Sequence, residues 1–568
     1  MRLIISILSF LFLSATALAV EIKPFLKPLN STSGWIIGNG LWNITIGDVY
    51  GKKLFYDGRD LIGDAVGHYS GYDGESNFVW TSASIYEETP EYLDVVFSAT
   101  EIDLHWIIYP DLAGAYQYIE NKALPTLAVL RTLFRLDNTT FTHGRTNIKD
   151  EALPLFSDIL ASTKVQDETW QRADGTYITK YDWSDFIRNL DFHGVYGSEF
   201  GSWYIRPGRD YFNGNHLKQE LTVHRESATG DAVELNVVHG SHFQVNSSAT
   251  FPAGKIWGPW LWYLNSGSRD DAASRAVQEF ASWPYSWLND SDYQSRGSVS
   301  GRLILSDGRP AANASVFLGD NSSNKSTLDQ GEHYYYAGTT DSQGSFDIED
   351  VRTGTYGFYA WSDGGSIANV STTFTRNDIA VQQGDETALG LLTWETQARK
   401  AIFQIGELDH KSLGFRNGGA PYQHALVAQS PANLTYTIGE SNASDWYFGQ
   451  SALGAWTVLF DLTAADVPSN TSASASAVLS LSLAGYSQTV SLDVSINSQV
   501  LTSLTSTTLP SDPGLYRSGT TAGEWRFLEF DIDAGVLTAG TNSLVFEVTR
   551  TTLWRGFMWD SILLEWKE

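Results

Sequence analysis

The 568-residue chain contains no cysteine, and only 2 methionines and 16 prolines. The missing cysteine removes disulfides, thiolate metal ligands and a cysteine nucleophile together. A small exported domain would be hard to stabilise without disulfides, but a chain this long can rely on apolar burial. Positive charge is also scarce: 37 Lys and Arg stand against 65 Asp and Glu, for a formal net charge of -28. That balance lacks the electrostatic footprint of a nucleic-acid or anionic-membrane binder, so neither is expected as a partner. No apolar run is long enough to span a bilayer. The closest approach, Leu3 to Leu13, follows Arg2 and precedes Ala17-Leu18-Ala19. Residues 1–19 therefore read as a secretory signal, and an extracellular, soluble, monomeric protein is expected. Asn-x-Ser/Thr sequons at Asn43, Asn138, Asn289 and Asn433, among others, suit a glycosylated surface. Zinc-ligand spacings, a Walker loop, a dinucleotide fingerprint and a nucleophile elbow are missing wherever they would carry meaning.

Aromatic residues, by contrast, make up 13% of the chain, with 20 tryptophans. Aromatic faces fill sheet cores, and they also stack on the apolar face of sugar rings. Alternation of apolar and polar residues, broken by Gly, Asn, Asp and Ser turns, predicts an all-β protein. One helix is expected at Ser268–Phe280, with Asp270 and Asp271 in its first turn and Pro284 beyond its end. It follows an apolar strand, Gly258–Asn265, and precedes a domain boundary near Ser295. Residues 20–290 form a first region, long enough for a large sandwich. Residues 296–390 read as a small β-sandwich of fibronectin-like or carboxypeptidase-regulatory-like layout. Residues 400–568 close the chain with alternating segments that suit a jelly roll. Within them Ser469–Val490 is rich in Ser, Ala and Thr, yet its Val, Leu and Tyr alternation favours strands over a linker.

The densest cluster of chemistry-bearing residues lies in the first region. It comprises TKYDW around Lys180, FHG (Phe192–Gly194), GSWYIRP (Gly201–Pro207), KQELTVH (Lys218–His224) and VVHGSHF (Val237–Phe243). The order and spacing of these segments resemble the rhamnogalacturonan lyases of polysaccharide lyase family four. GELDHKSLGFRN in the third region resembles that family's carbohydrate-binding-like jelly roll, and the middle region fits its fibronectin-like module. The resemblance implies a galactose-mutarotase-like sandwich for residues 20–290. It also implies β-elimination of rhamnogalacturonan I at the bond between rhamnose and O4 of galacturonate. A glycoside hydrolase using two carboxylates, or an inactive carbohydrate-binding protein, are the alternatives that the acidic composition leaves open.

Elimination needs a base for the C5 proton of the uronate, cations for the charge developing on its carboxylate, and an acid for the leaving O4. In LRTLFRLD (Leu130–Asp137), strand alternation puts Arg131, Leu133 and Arg135 on one face, the arginines ~13 Å apart along the strand. The resemblance makes Arg131 and Arg135 the substrate-binding pair and Lys180 the catalytic base. Burial and the two arginines would lower the Lys180 pKa, while Asp182 and Asp185 would oppose them if they faced inward. The resemblance also implies His239 as the acid, through its His-Gly context, with His242 as its competitor and His193 and His224 as motif histidines of structural role. No cofactor is required for this chemistry. A structural calcium in the jelly roll remains compatible with the sequence, although no EF-hand loop is present.

Overall fold

The computed structural model describes residues 23–29, 33–74, 76–189, 191–212, 219–243, 250–322, 333–419, 421–467 and 477–567. The expected signal segment, 1–19, and Lys218 of the KQELTVH motif lie outside the described residues. Among the described residues, no helix is long and apolar enough to cross a membrane.

The first region is a large antiparallel sandwich. A ten-stranded sheet runs from Phe25–Pro28 through Gly67–Tyr72, Leu130–Leu136 and Ala232–His239 to Val223–Arg225. A nine-stranded sheet faces it, with Ile256–Asn265 paired between Gly201–Ile205 and Gly114–Asn121. The aromatic surplus fills the space between them. Trp42, Trp106 and Trp262 are essentially inaccessible, and Phe134 stacks on Trp262 at 4.5 Å. Here the tryptophans serve packing first, as their buried area favours. The helix forms at Arg269–Ser282, and its Ser268 cap accepts a hydrogen bond from the Asp271 N–H at 3.2 Å. Ala272 and Ala276 are buried against the outer face of the nine-stranded sheet.

The second region packs the strands Arg296–Leu305, Ser345–Arg352 and Glu386–Trp394 against a four-stranded sheet built on Ala314–Asp320 and Gly354–Ser362. The third consists of two five-stranded sheets, one centred on Phe557–Lys567 and the other on Gly540–Arg550. Ala477–Tyr486, from the Ser/Ala/Thr-rich stretch, is a wholly buried central strand of the first of these.

Charged contacts join the regions. Asp210 Oδ2 of the first accepts from Arg352 Nε at 2.9 Å and from Arg296 Nη1 at 3.3 Å, both of the second. The GELDHKSLGFRN segment forms the next seam. Lys411 Nζ sits 2.6 Å from Asp363 Oδ1, and the His410 ring lies between Trp361 and Trp525, at 5.5 and 3.8 Å. Finally, Arg517 of the third region donates to Asp167 Oδ2 at 3.0 Å and to the His242 carbonyl at 2.5 Å.

Candidate active site

The Leu130–Leu136 strand keeps the alternation read from the sequence. Arg131, Leu133 and Arg135 pair across to Val237, Leu235 and Val233 on one side and to Gly71, Tyr69 and Gly67 on the other. Cross-strand partners share a face, so both arginines project from the same side of the ten-stranded sheet. Their surroundings differ. Arg131 is buried and donates through Nη2 to the Gly74 carbonyl at 2.6 Å. Burial lowers its pKa, and Tyr69 and Asp73 oppose that. Arg135 donates through Nε to Asp231 Oδ2 at 2.8 Å and through Nη2 to Thr229 Oγ1 at 2.6 Å, while its Nη1 lies 3.8 Å from Glu226 Oε2. Burial works against its charge, but Glu226 and Asp231 outweigh burial and raise its pKa.

Lys180 opens a short 3-10 turn, Lys180–Trp183, directly after the strand Tyr177–Thr179. Thr179 caps the turn by accepting from the Tyr181 N–H. The Lys180 pKa is lowered, first by burial and then by Arg517, against the opposing pull of Glu168, Glu226 and Asp167. The cation that acts on it most strongly is therefore Arg517, in the third region, and not Arg131 or Arg135 as the sequence suggested. Asp182 and Asp185 are not the opposing anions either. Both are buried, with carboxyls pushed up to about 6, chiefly by desolvation. Asp185 accepts from the Asn147 and Phe186 N–H groups.

The histidines sort into two groups. Lys180 acts electrostatically on His224 and His242, so these two share its neighbourhood. His224 is 7% exposed in its side chain and lies 3.8 Å through Nε2 from Glu226 Oε2. Glu226 thus stands between His224 and Arg135, which hold its carboxyl well below the usual range despite burial. The His242 side chain is 20% exposed, with Nδ1 3.1 Å from Glu220 Oε1. Burial lowers its pKa first; Glu220 opposes this, and Lys180 and Arg517 add to it.

His239 and His193 lie elsewhere. A register shift between Leu130 and Arg131 pairs His239 with Leu130 and Val237 with Arg131. His239 therefore follows Leu130 into the interior, opposite to the arginine face. Its inaccessible ring meets the Phe251 ring edge-on at 4.9 Å. Burial, with Lys255 nearby, drops its pKa well below the ordinary histidine value. The structure thus places His239 on the side of the sheet opposite to Arg131 and Arg135, among interior rings. His193 is buried, bonded to the Leu235 carbonyl at 2.9 Å and to Arg206.

The family models for domains II and III of polysaccharide lyase family 4 match residues 295–389 and 401–564, the latter described as CBM-like. Over 98% of this chain and 97% of the relative, the sequence is 30% identical to a rhamnogalacturonate lyase of Dickeya dadantii. The chain belongs to polysaccharide lyase family 4. A probable rhamnogalacturonate lyase B of Aspergillus niger is 27% identical over 65% of this chain and 59% of its own length. Among solved structures, a Paenibacillus xanthan lyase aligns over 91% of this chain and 44% of its own, at 8% identity and a TM-score of 0.16. That likeness is too low to bear on the fold.

Within this family 4 member, the sequence motifs pointed to Lys180 and the arginines but missed Glu226, Glu220, Glu168 and Arg517. Glu226 was recoverable in part, since it stands two residues beyond a motif histidine. Arg517 carried no local signal, because it reaches Lys180's surroundings from another region of the chain. Among the described residues, no group of three or more His, Asp or Glu is placed to hold a metal ion.

Proposed function

We propose that the chain is an exported rhamnogalacturonan endolyase that cleaves the rhamnose–galacturonate bond by β-elimination. Lys180, lowered in pKa by burial and sharing its neighbourhood with His224 and His242, while Arg135 acts on the same Glu226, is the observation that carries this reading. The substrate carboxylate docks on Arg131, whose charge is not shared with Glu226 and Asp231 as that of Arg135 is. Neutral Lys180 Nζ takes the C5 proton, and the C–H electron pair delocalises into the carboxylate facing the guanidinium. The pair then forms the C4–C5 double bond as the C4–O bond breaks, and the leaving oxygen takes a proton from His242. His242 is preferred over His224 because its side chain is the more exposed, and because Glu220 at its Nδ1 stabilises the cationic ring that donates from Nε2. His224 and Arg135 then fix Glu226, which sets the field around Lys180. The apolar segment Leu3–Leu13 and the small residues after it support export.

The deciding experiment is a digest of rhamnogalacturonan followed by near-ultraviolet absorbance. Elimination leaves a conjugated unsaturated uronate on every new non-reducing end, and viscosity falls early if the cuts are internal. New reducing ends without that absorbance would establish hydrolysis instead and overturn the proposal.

A further inference from the structure

A second group of cavities lies on the opposite side of the sandwich. The helix Arg269–Ser282 leads into the segment WPYSWLND, Trp283–Asp290, which lies over the outer face of the nine-stranded sheet. Two cavities, of about 270 and 310 Å3, flank Trp287. Their walls are unusually rich in aromatic rings. Trp287 stacks on Tyr285 at 5.2 Å and meets Tyr116 at 5.1 Å and Tyr92 at 6.4 Å. Tyr86 is 69% exposed at the rim, its edge 5.1 Å from His105. Tyr86 and part of Trp287 stay uncovered beside the cavity, and a sugar ring takes such a flat, amphipathic wall.

The polar groups fit hydroxyls rather than carboxylates. Glu87, Asp94, Glu120 and Asp290 all line the first cavity, and Arg275 enters the second. Three of the four acids are already engaged. Glu87 accepts from the Tyr92 hydroxyl at 2.7 Å, Asp94 holds His105 Nδ1 at 3.0 Å, and Asp290 caps the Tyr293 N–H at 2.6 Å. Glu120 is half-buried and accepts no hydrogen bond from the described residues, and burial raises its pKa. An under-satisfied carboxylate facing a cavity wants hydroxyl donors, and charge-assisted hydrogen bonds of this kind are the strong ones. Four carboxylates at one mouth also repel any anion. We infer that the cavities around Trp287 bind an uncharged oligosaccharide, with Trp287 and Tyr86 as stacking platforms and Glu120 as the hydroxyl acceptor.

This site is independent of the Lys180 chemistry, and so is its test. The full chain is produced without N-glycans, because Asn289 on the rim stands in a sequon. Isothermal titration calorimetry is run with galactotetraose as the neutral probe and trigalacturonate as the charged one. Galactotetraose should bind, with Trp287→Ala and Glu120→Gln each weakening it about tenfold or more and exposed Tyr86→Ala weakening it severalfold. None of the three should change the rate of cutting unbranched rhamnogalacturonan. Tyr86→Ala removes only an exposed ring, so it remains informative if Trp287→Ala fails to fold. No heat with galactotetraose, or binding equal in wild type and variants, would overturn the inference. Trigalacturonate binding that Trp287→Ala abolishes would overturn the assigned preference for uncharged sugar.

Discussion

The two outer faces of the same sandwich arrange charge differently: one holds cations paired with carboxylates, the other a cavity lined by four carboxylates. Beside the ten-stranded sheet, which bears Arg131 and Arg135, Lys180 and Arg517 gather with buried histidines and bridging glutamates. On the nine-stranded sheet, four acids surround a cavity walled by tryptophan and tyrosine. Both faces use aromatic rings, so aromatic content alone says nothing about which sugar is taken. The sign of the charge does. A uronate polymer is repelled at long range by a chain of formal net charge -28 and is held only where local guanidinium and ammonium groups outweigh that field. An uncharged sugar is indifferent to the field and can use carboxylates as acceptors.

The comparison breaks most visibly at Lys180. Lys180→Ala should lower kcat by about 10^2- to 10^4-fold with an unchanged melting temperature, and should leave galactotetraose binding at the Trp287 site intact; steady-state kinetics and calorimetry on one preparation check both halves. Arg131→Ala should cost about 10^2- to 10^3-fold in kcat/KM, and a carboxyl-reduced polymer should be cut equally slowly by wild type and variant. Equal rates on native and carboxyl-reduced polymer would remove the clamp. Among the histidines, His242→Ala should slow the reaction by about 10^2-fold, whereas His239→Leu should keep its rate and change only thermal stability. The smallest effect is a shift in pH dependence. The base acts when neutral, so kcat/KM rises as pH climbs through the Lys180 pKa. Removing a neighbouring cation raises that pKa, and Arg517→Gln should move the rising limb to higher pH. Glu168→Gln removes an opposing anion and should move it to lower pH. Profiles that do not separate would show that neither group tunes the base.

Much of this was legible in the sequence because it is local. Strand alternation put Arg131 and Arg135 on one face, and Ser268 with Asp270 and Asp271 announced the helix start. Ala477–Tyr486 showed its strand character through a serine-rich composition. What was not legible depends on register and on distant contacts. His239 would sit on the arginine face if pairing ran without interruption from Val237, and one bulge turns it inward. The tuning of Lys180 was credited to burial and to Arg131 and Arg135; burial leads, and the cation that adds to it is Arg517, which docks against His242 and Asp167. GELDHKSLGFRN marked the family, and its Lys411 and His410 lie on the seam with the second region.

The most direct test of the central claim is a crystal structure of Lys180→Ala with a rhamnogalacturonan oligosaccharide spanning the site. The account predicts a galacturonate with its carboxylate on Arg131, its C5–H pointing at the space the Lys180 amine occupied, and its glycosidic O4 within reach of His242. A uronate bound with C5 turned away from that space, or the charged backbone lodged beside Trp287, would contradict it.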